Sequence, residues 1–219
     1  MRILLIHTAG AEGSVALADT EAVNPIVAKE VMPGRTSSER LVPTVRRLIE
    51  AQGWRLAELA AIGVVHGPGS FTGVRVGLSA AKGLSEASGV KLIAVSRLAL
   101  LASAVEGEAR PVYAVLDAGR GEFYFGEYVG RRCLREELMA RKDTMAAAGG
   151  EVVVVCEAKA GDALVELTPH VRNEPPAEAA LPFVVERIEA GDFDDAVTLD
   201  ANYLRRTDVE IFAKSVAKA

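Results

Sequence analysis

The sequence predicts a two-lobed α/β protein, on three observations. Strand and helix patterns alternate through the first half, a polar stretch ending in proline divides the chain near its middle, and the segment that follows repeats the chain's opening. Ile3 to Ile6, His7, Thr8 and Glu12 have counterparts in Tyr113 to Leu116, Asp117, Ala118 and Glu122 at a constant offset of 110 positions. A repeat this long indicates duplicated lobes rather than a solenoid. With 219 residues, 50% apolar and 25% charged, the chain is long enough for two compact units. The boundary falls in Glu106 to Pro111, giving lobes 1-108 and 109-219.

The elements follow in order. Ile3 to Ile6, Ser14 to Leu17 and Ala22 to Val31 read as three strands, with Gly10 and Gly13 in the first turn, and so as an antiparallel meander. Thr36, Ser37, Ser38 and Glu39 supply N-cap chemistry, after which Leu41, Val45, Leu48 and Ile49 recur at helical spacing until Gln52 and Gly53. Ala61 to Val65 is a buried strand, Val74 to about Ser88 a helix, Leu92 to Val95 a strand, and Ser96 caps a helix through Ala104. In the second half Val112 to Leu116 turns through Asp117 to Gly121 and returns along Glu122 to Val129 as a hairpin.

Between the strand at 61-65 and its helix lies the sequence GPGSFTG, Gly67 to Gly73. A glycine-rich loop feeding a helix aims backbone N–H groups outward, which suits an anion at Gly67, Gly69, Ser70 and Thr72, or a closely packed backbone. The loop matches neither a phosphate-binding loop, lacking the following Gly-Lys-Ser/Thr, nor a serine nucleophile elbow. The helix then carries Gly73, Gly77, Ala80, Ala81 and Leu84 on one side. Small residues permit close approach, and each interior glycine costs about 1 kcal/mol relative to alanine, so something must offset it. A docked helix would do so, and so would packing on the chain's own sheet.

A formal charge of -5 argues against a broad basic face for nucleic acid. The opening apolar run is too short for a signal-peptide core, no later run reaches spanning length, and Cys133 and Cys156 lack metal-type spacing, so a cytoplasmic protein away from membranes is expected. His7, His66 and His170 stand far apart, and no motif predicts a shared metal. His66 reads as a strand-end imidazole with its hydrogen bonds made internally, and Arg46-Arg47 and Arg131-Arg132 as solvated faces.

ILLIHTAGAEGSVAL, GPGSFTGVRVGLSAAKGL, VSRLALLA, DAGRGEFYFGEY and NYLRR resemble the TsaB (YeaZ) family, while residues 140 to 195 add little. The resemblance implies an actin-like, sugar-kinase-like, Hsp70-like ATPase fold with duplicated ribonuclease H-like lobes. It implies a non-catalytic subunit with no catalytic residues or metal of its own. Such a subunit pairs with TsaD, which transfers threonylcarbamoyl to adenosine 37 of tRNAs reading codons that begin with A, and with the ATPase TsaE. It implies contact with TsaD through a helix bundle, which places the interface at Gly73, Val76, Gly77, Ala80, Ala81, Leu84, Leu41 and Val45. A homodimer through the same face is expected of the chain alone, tRNA contact only through the complex, and no intrinsic cofactor, with ATP or ADP at the complex interface.

Three positions depart from the family. His7 replaces the aspartate that ends the first strand, and an imidazole cannot replace a carboxylate opposite Mg²⁺ and phosphate. Asn202 stands where proline precedes Tyr203, and Gly119 where arginine is frequent. The competing class is an autonomous nucleotide-dependent transferase or peptidase of the same superfamily, which would turn over ATP or substrate without partners. A nucleotide-sensing module that binds ADP without turnover is a third.

Overall fold

The computed structural model describes residues 1–33, 36–105 and 110–204. Two five-stranded sheets carry the fold. The first is built from β1 (Arg2–His7), β2 (Gly13–Asp19), β3 (Ile26–Met32), β4 (Ala61–Val65) and β5 (Lys91–Val95), in the order β3-β2-β1-β4-β5. The second is built from β6 (Val112–Gly119), β7 (Glu122–Val129), β8 (Arg132–Ala140), β9 (Val152–Val155) and β10 (His170–Val171), in the order β10-β9-β6-β7-β8. In both, the first strand pairs antiparallel with the second and parallel with the fourth. The lobes are therefore duplicated ribonuclease H-like units of the actin-like class, joined as the repeat requires.

The helices repeat as well. α1 (Ser37–Ala51) and α4 (Arg141–Ala148) link third to fourth strands, α2 (Phe71–Ser88) and α5 (Ala158–Ala163) link fourth to fifth, and α3 (Arg97–Ser103) and α6 (Leu181–Glu189) follow the fifth. These last two helices are exchanged. Leu98, Leu101 and Ala102 of α3 join the second lobe's core with Ala114, Tyr128 and Val154. Val184 of α6 joins the first lobe's core, where it sits so close to β4 that a Cβ on Gly63 would meet it at 2.6 Å. The proposed boundary between 108 and 109 lies outside the described residues.

β1 and β4 are buried along nearly their whole length, as unbroken apolar runs between covered faces predict. The third strand starts at Ile26 rather than Ala22, because residues 21–25 form bends before the pairing begins. α2 starts at Phe71, three residues ahead of Val74, because Ser70 caps it by accepting from the Gly73 N–H at 3.2 Å. Thr36 gives α1 no such cap and instead donates its hydroxyl to Pro33 O at 2.8 Å. No described helix is long and apolar enough to cross a membrane.

Candidate functional site

In open α/β sheets, ligands collect beyond the carboxyl ends of the strands. At that edge, between the lobes, this chain has placed a network of its own side chains. His7 ends β1, is 1% exposed, and accepts the Ala9 N–H on Nδ1 at 3.2 Å, so its proton sits on Nε2. That nitrogen is 3.2 Å from Glu174 Oε1, within ion-pair reach but off the line of a good hydrogen bond. Arg97, buried at the start of α3, donates Nε to Glu174 Oε1 at 2.7 Å, and Nη2 to Glu174 Oε2 at 2.5 Å and Glu157 Oε1 at 3.0 Å. Glu157 Oε2 accepts the Asp117 N–H at 2.7 Å, and Asp117 pairs with Lys159 at 2.6 Å. His7, the last residue of β1, and its repeat counterpart Asp117, two residues short of the end of β6, are thus tied through opposite ends of one charged chain.

The electrostatics follow from these contacts. Burial by itself would raise the Glu174 carboxyl, but the Arg97 guanidinium and then the His7 imidazole beside it hold it well below the usual carboxylate range. Burial likewise opposes the charge on Arg97, and Glu174 with Glu157 more than restores it. Burial and the neighbouring Glu174 push the Cys156 thiol up, so it remains a proton donor to Glu174 Oε2 at 3.2 Å. Cys133 and Cys156 are both free thiols. Among the described residues no three His, Cys, Asp or Glu side chains gather where they could hold a metal ion.

The glycine loop is largely committed to this chain. Ser70 N–H donates to Ala9 O at 2.8 Å, and Arg97 N–H to Gly67 O at 2.7 Å. A Cβ on Gly69 would lie 2.2 Å from Ala9 O. Gly67 has φ +108, a conformation open to glycine. Ser70 and Thr72 do reach a recess of about 290 Å³ that they share with Thr8, Ser37, Ser38 and Glu12. Gly67 and Gly69 do not line it.

The expected interface residues separate into two groups. A Cβ on Gly73 would lie 2.0 Å from Thr8 O, one on Gly77 2.3 Å from Thr8 Oγ1, and Ala81 is 0% exposed within the first core. The close approach that these small residues allow is thus made to the chain's own β1 and the turn after it, which corrects their assignment to an open docking face. Leu41 and Val45, each 1% exposed, likewise face the core, because α1 lays that stripe on the first sheet. Val76, Ala80 and Leu84 remain half-buried and follow exposed Thr72 at four-residue intervals along α2. On the same two helices the structure exposes Val42 of α1 and Phe71 at the start of α2, at 50% and 62%. Neither was singled out from the sequence. Val42 stands one position off the buried Leu41 stripe, a signal that spacing offers, whereas Phe71 looked like part of the loop.

Arg75 of α2 lies 3.4 Å from the Phe71 ring centroid and donates Nε to Tyr203 OH at 2.8 Å, fastening the segment at 201–204 across the helix. Asn202, the residue before Tyr203, donates its N–H to His66 O at 2.8 Å, a bond that a proline there could not make. His66 Nδ1 is 3.3 Å from Asp200 O, as a strand-end imidazole should be. Arg46, Arg47 and Arg131 pair with Glu50, Glu30 and Glu186 on the surface. The Arg205-Arg206 pair of NYLRR lies outside the described residues.

The family model described as TsaD, tRNA N6-adenosine threonylcarbamoyltransferase, matches residues 24–166. The tRNA threonylcarbamoyladenosine biosynthesis protein TsaB of Escherichia coli is 38% identical over 130 residues, 58% of this chain and 55% of that protein. Its namesake in Bacillus subtilis is 31% identical over 147 residues, 67% of this chain and 63% of that protein. The matched stretch therefore spans between about half and just under two thirds of these curated relatives. The solved structure of YeaZ from Pseudomonas aeruginosa superposes with a TM-score of 0.77 at 26% identity, over 93% of this chain and 99% of that one. With a family match across well over half its length and a solved relative that follows it nearly from end to end, the chain belongs to the TsaB (YeaZ) family.

Proposed function

We propose that this chain is a non-catalytic partner subunit of a TsaD-type enzyme, stabilising and activating it for threonylcarbamoyl transfer to adenosine 37 of tRNAs reading codons that begin with A. The observation that carries this reading is the filled strand edge. Where a nucleotide-using relative would need an open carboxylate, His7 is buried against Glu174, and Glu174 is held by Arg97. A polyphosphate entering there would have to displace the chain's own carboxylate from its guanidinium.

The partner surface is the outward side of α1 and α2, where Val42 and Phe71 are exposed and Val76, Ala80 and Leu84 half-buried. The same strip serves for a homodimer when the chain is alone. TsaE joins the pair as the third subunit, and tRNA is reached through the assembly in the cytoplasm. Any ATP or ADP sits at the joint interface: the hydroxyls of Ser37, Ser38, Ser70 and Thr72 at the recess suit a phosphate, and Glu12 on the same rim opposes one.

Reconstituting the modification with TsaD, TsaE, tRNA and a threonylcarbamoyl donor, with and without this chain, tests the reading. Transfer should require the chain, and the chain alone should not turn over ATP with Mg²⁺. Sustained hydrolysis by the isolated chain, or full transfer in its absence, overturns it.

A further inference from the structure

A second cleft, of about 500 Å³, opens between the lobes and shares no lining residue with the Glu174 network. Its size is that of a small-molecule site. The floor is apolar, made by Val95 at the end of β5, Ala99 of α3 and Phe183 of α6. Glu136 of β8 lines the same cleft. Its Oε1 accepts from Ser96 Oγ at 2.5 Å and from the buried Tyr128 hydroxyl, and its Oε2 accepts from Asn202 Nδ2 at 2.6 Å. These donors come from the cap of α3, from β7 and from the chain's last described segment, so three separate parts of the fold fix the carboxylate in place.

All three donors are neutral. The two arginines of the wall are already engaged, Arg131 with Glu186 at 2.8 Å and Arg187 with Asp192 at 2.7 Å and Asp194 at 2.9 Å. Among the described residues Glu136 is therefore the charged group of this lining with no ion-pair partner. A carboxylate drawn partly out of water gains most from a cation brought to it, and Oε2, with one donor, has a lone pair to offer.

We propose that this cleft binds a small organic cation, a primary ammonium on an apolar body, with the ammonium on Glu136 and the body on the Val95, Ala99 and Phe183 floor. The carboxylate repels an organic anion of the same shape, and a neutral isostere forgoes the charge. The site is independent of the partner-subunit reading.

The test is calorimetric titration of the purified full chain with benzylammonium chloride, against benzyl alcohol and benzoate as neutral and anionic isosteres. Benzylammonium should bind saturably and about tenfold or more tighter than the alcohol, with benzoate weakest. Glu136→Gln should erase the advantage of the cation while leaving the alcohol unchanged. Ala99→Leu fills the floor and spares the carboxylate, and should weaken cation and alcohol together, which keeps the test valid should Glu136→Gln fail to fold. Equal affinity for ammonium and alcohol, tighter binding of benzoate, or unaltered binding by Ala99→Leu would overturn the assignment.

Discussion

A methyl group at position 73 or 77 would collide with Thr8, whose hydroxyl donates to Gly73 O at 2.7 Å and whose own position follows the buried His7. Gly83, in the same helix, would meet nothing within 4 Å. Helix propensity favours alanine over glycine at all three sites, so only contact can separate them. Gly77→Ala should therefore destabilise by about 2 kcal/mol through overpacking, while Gly83→Ala should stabilise by up to about 1 kcal/mol. Urea unfolding midpoints of the two variants decide it, and a destabilised Gly83→Ala would refute the distinction. The sequence displayed the small-residue stripe plainly, yet left open what lay against it. Glycine spacing records that a backbone comes close, and only the fold reveals that the backbone is the chain's own.

The α1–α2 pair shows what was legible at the level of elements and what was not. Apolar periodicity found α1, since one face of an amphipathic helix repeats every three to four residues. It was the family resemblance, not this spacing, that put Leu41 and Val45 on a partner surface, and the structure buries both in the first core, where so regular an apolar stripe belongs. Strand β8 was invisible for a different reason: Arg132–Ala140 carries charged residues, and its outer positions are exposed at the sheet's edge, so no clean alternation marks it. The brief α4, α5 and β10 offer too few residues for a period to register. If the outward strip is the docking surface, Phe71→Glu should reduce TsaD co-purification at least about tenfold and leave the melting temperature within a degree or two, because a 62% exposed ring contributes little to the core. Undiminished co-purification would move the interface elsewhere.

Across the whole molecule, the duplication was readable because β1 and β6 keep their 110-residue offset, His7 against Asp117. The ionic network that joins those strand ends was not, since Glu174 and Arg97 are 77 positions apart and no local pattern links them. That network makes acid sensitivity specific. Glu174 has a depressed value in the folded chain, so its contribution is present above the unfolded carboxyl value of 4.5 and is lost as pH falls below it, when the unfolded chain takes up the proton first. Glu174→Gln should cost about 3 kcal/mol at pH 7, leaving Arg97 buried with Glu157 alone, and should flatten the loss of stability between pH 5 and about 3. Denaturation curves across that range check both effects, and parallel slopes for variant and parent would count against the network.

The exchange of α3 and α6 sets a limit on how the chain can be divided. Each half carries, at its end, the lid for the other half's sheet, so neither 1-108 nor 109-219 can dry its own interior. Produced singly, the pieces should stay insoluble or dye-binding; produced in the same cell, they should find one another and purify as a nicked but intact molecule. A half that stands alone, sharply melting and monomeric, would mean the borrowed lids are ornamental, and inheritance by duplication would then have left two self-sufficient modules rather than one interlocked body.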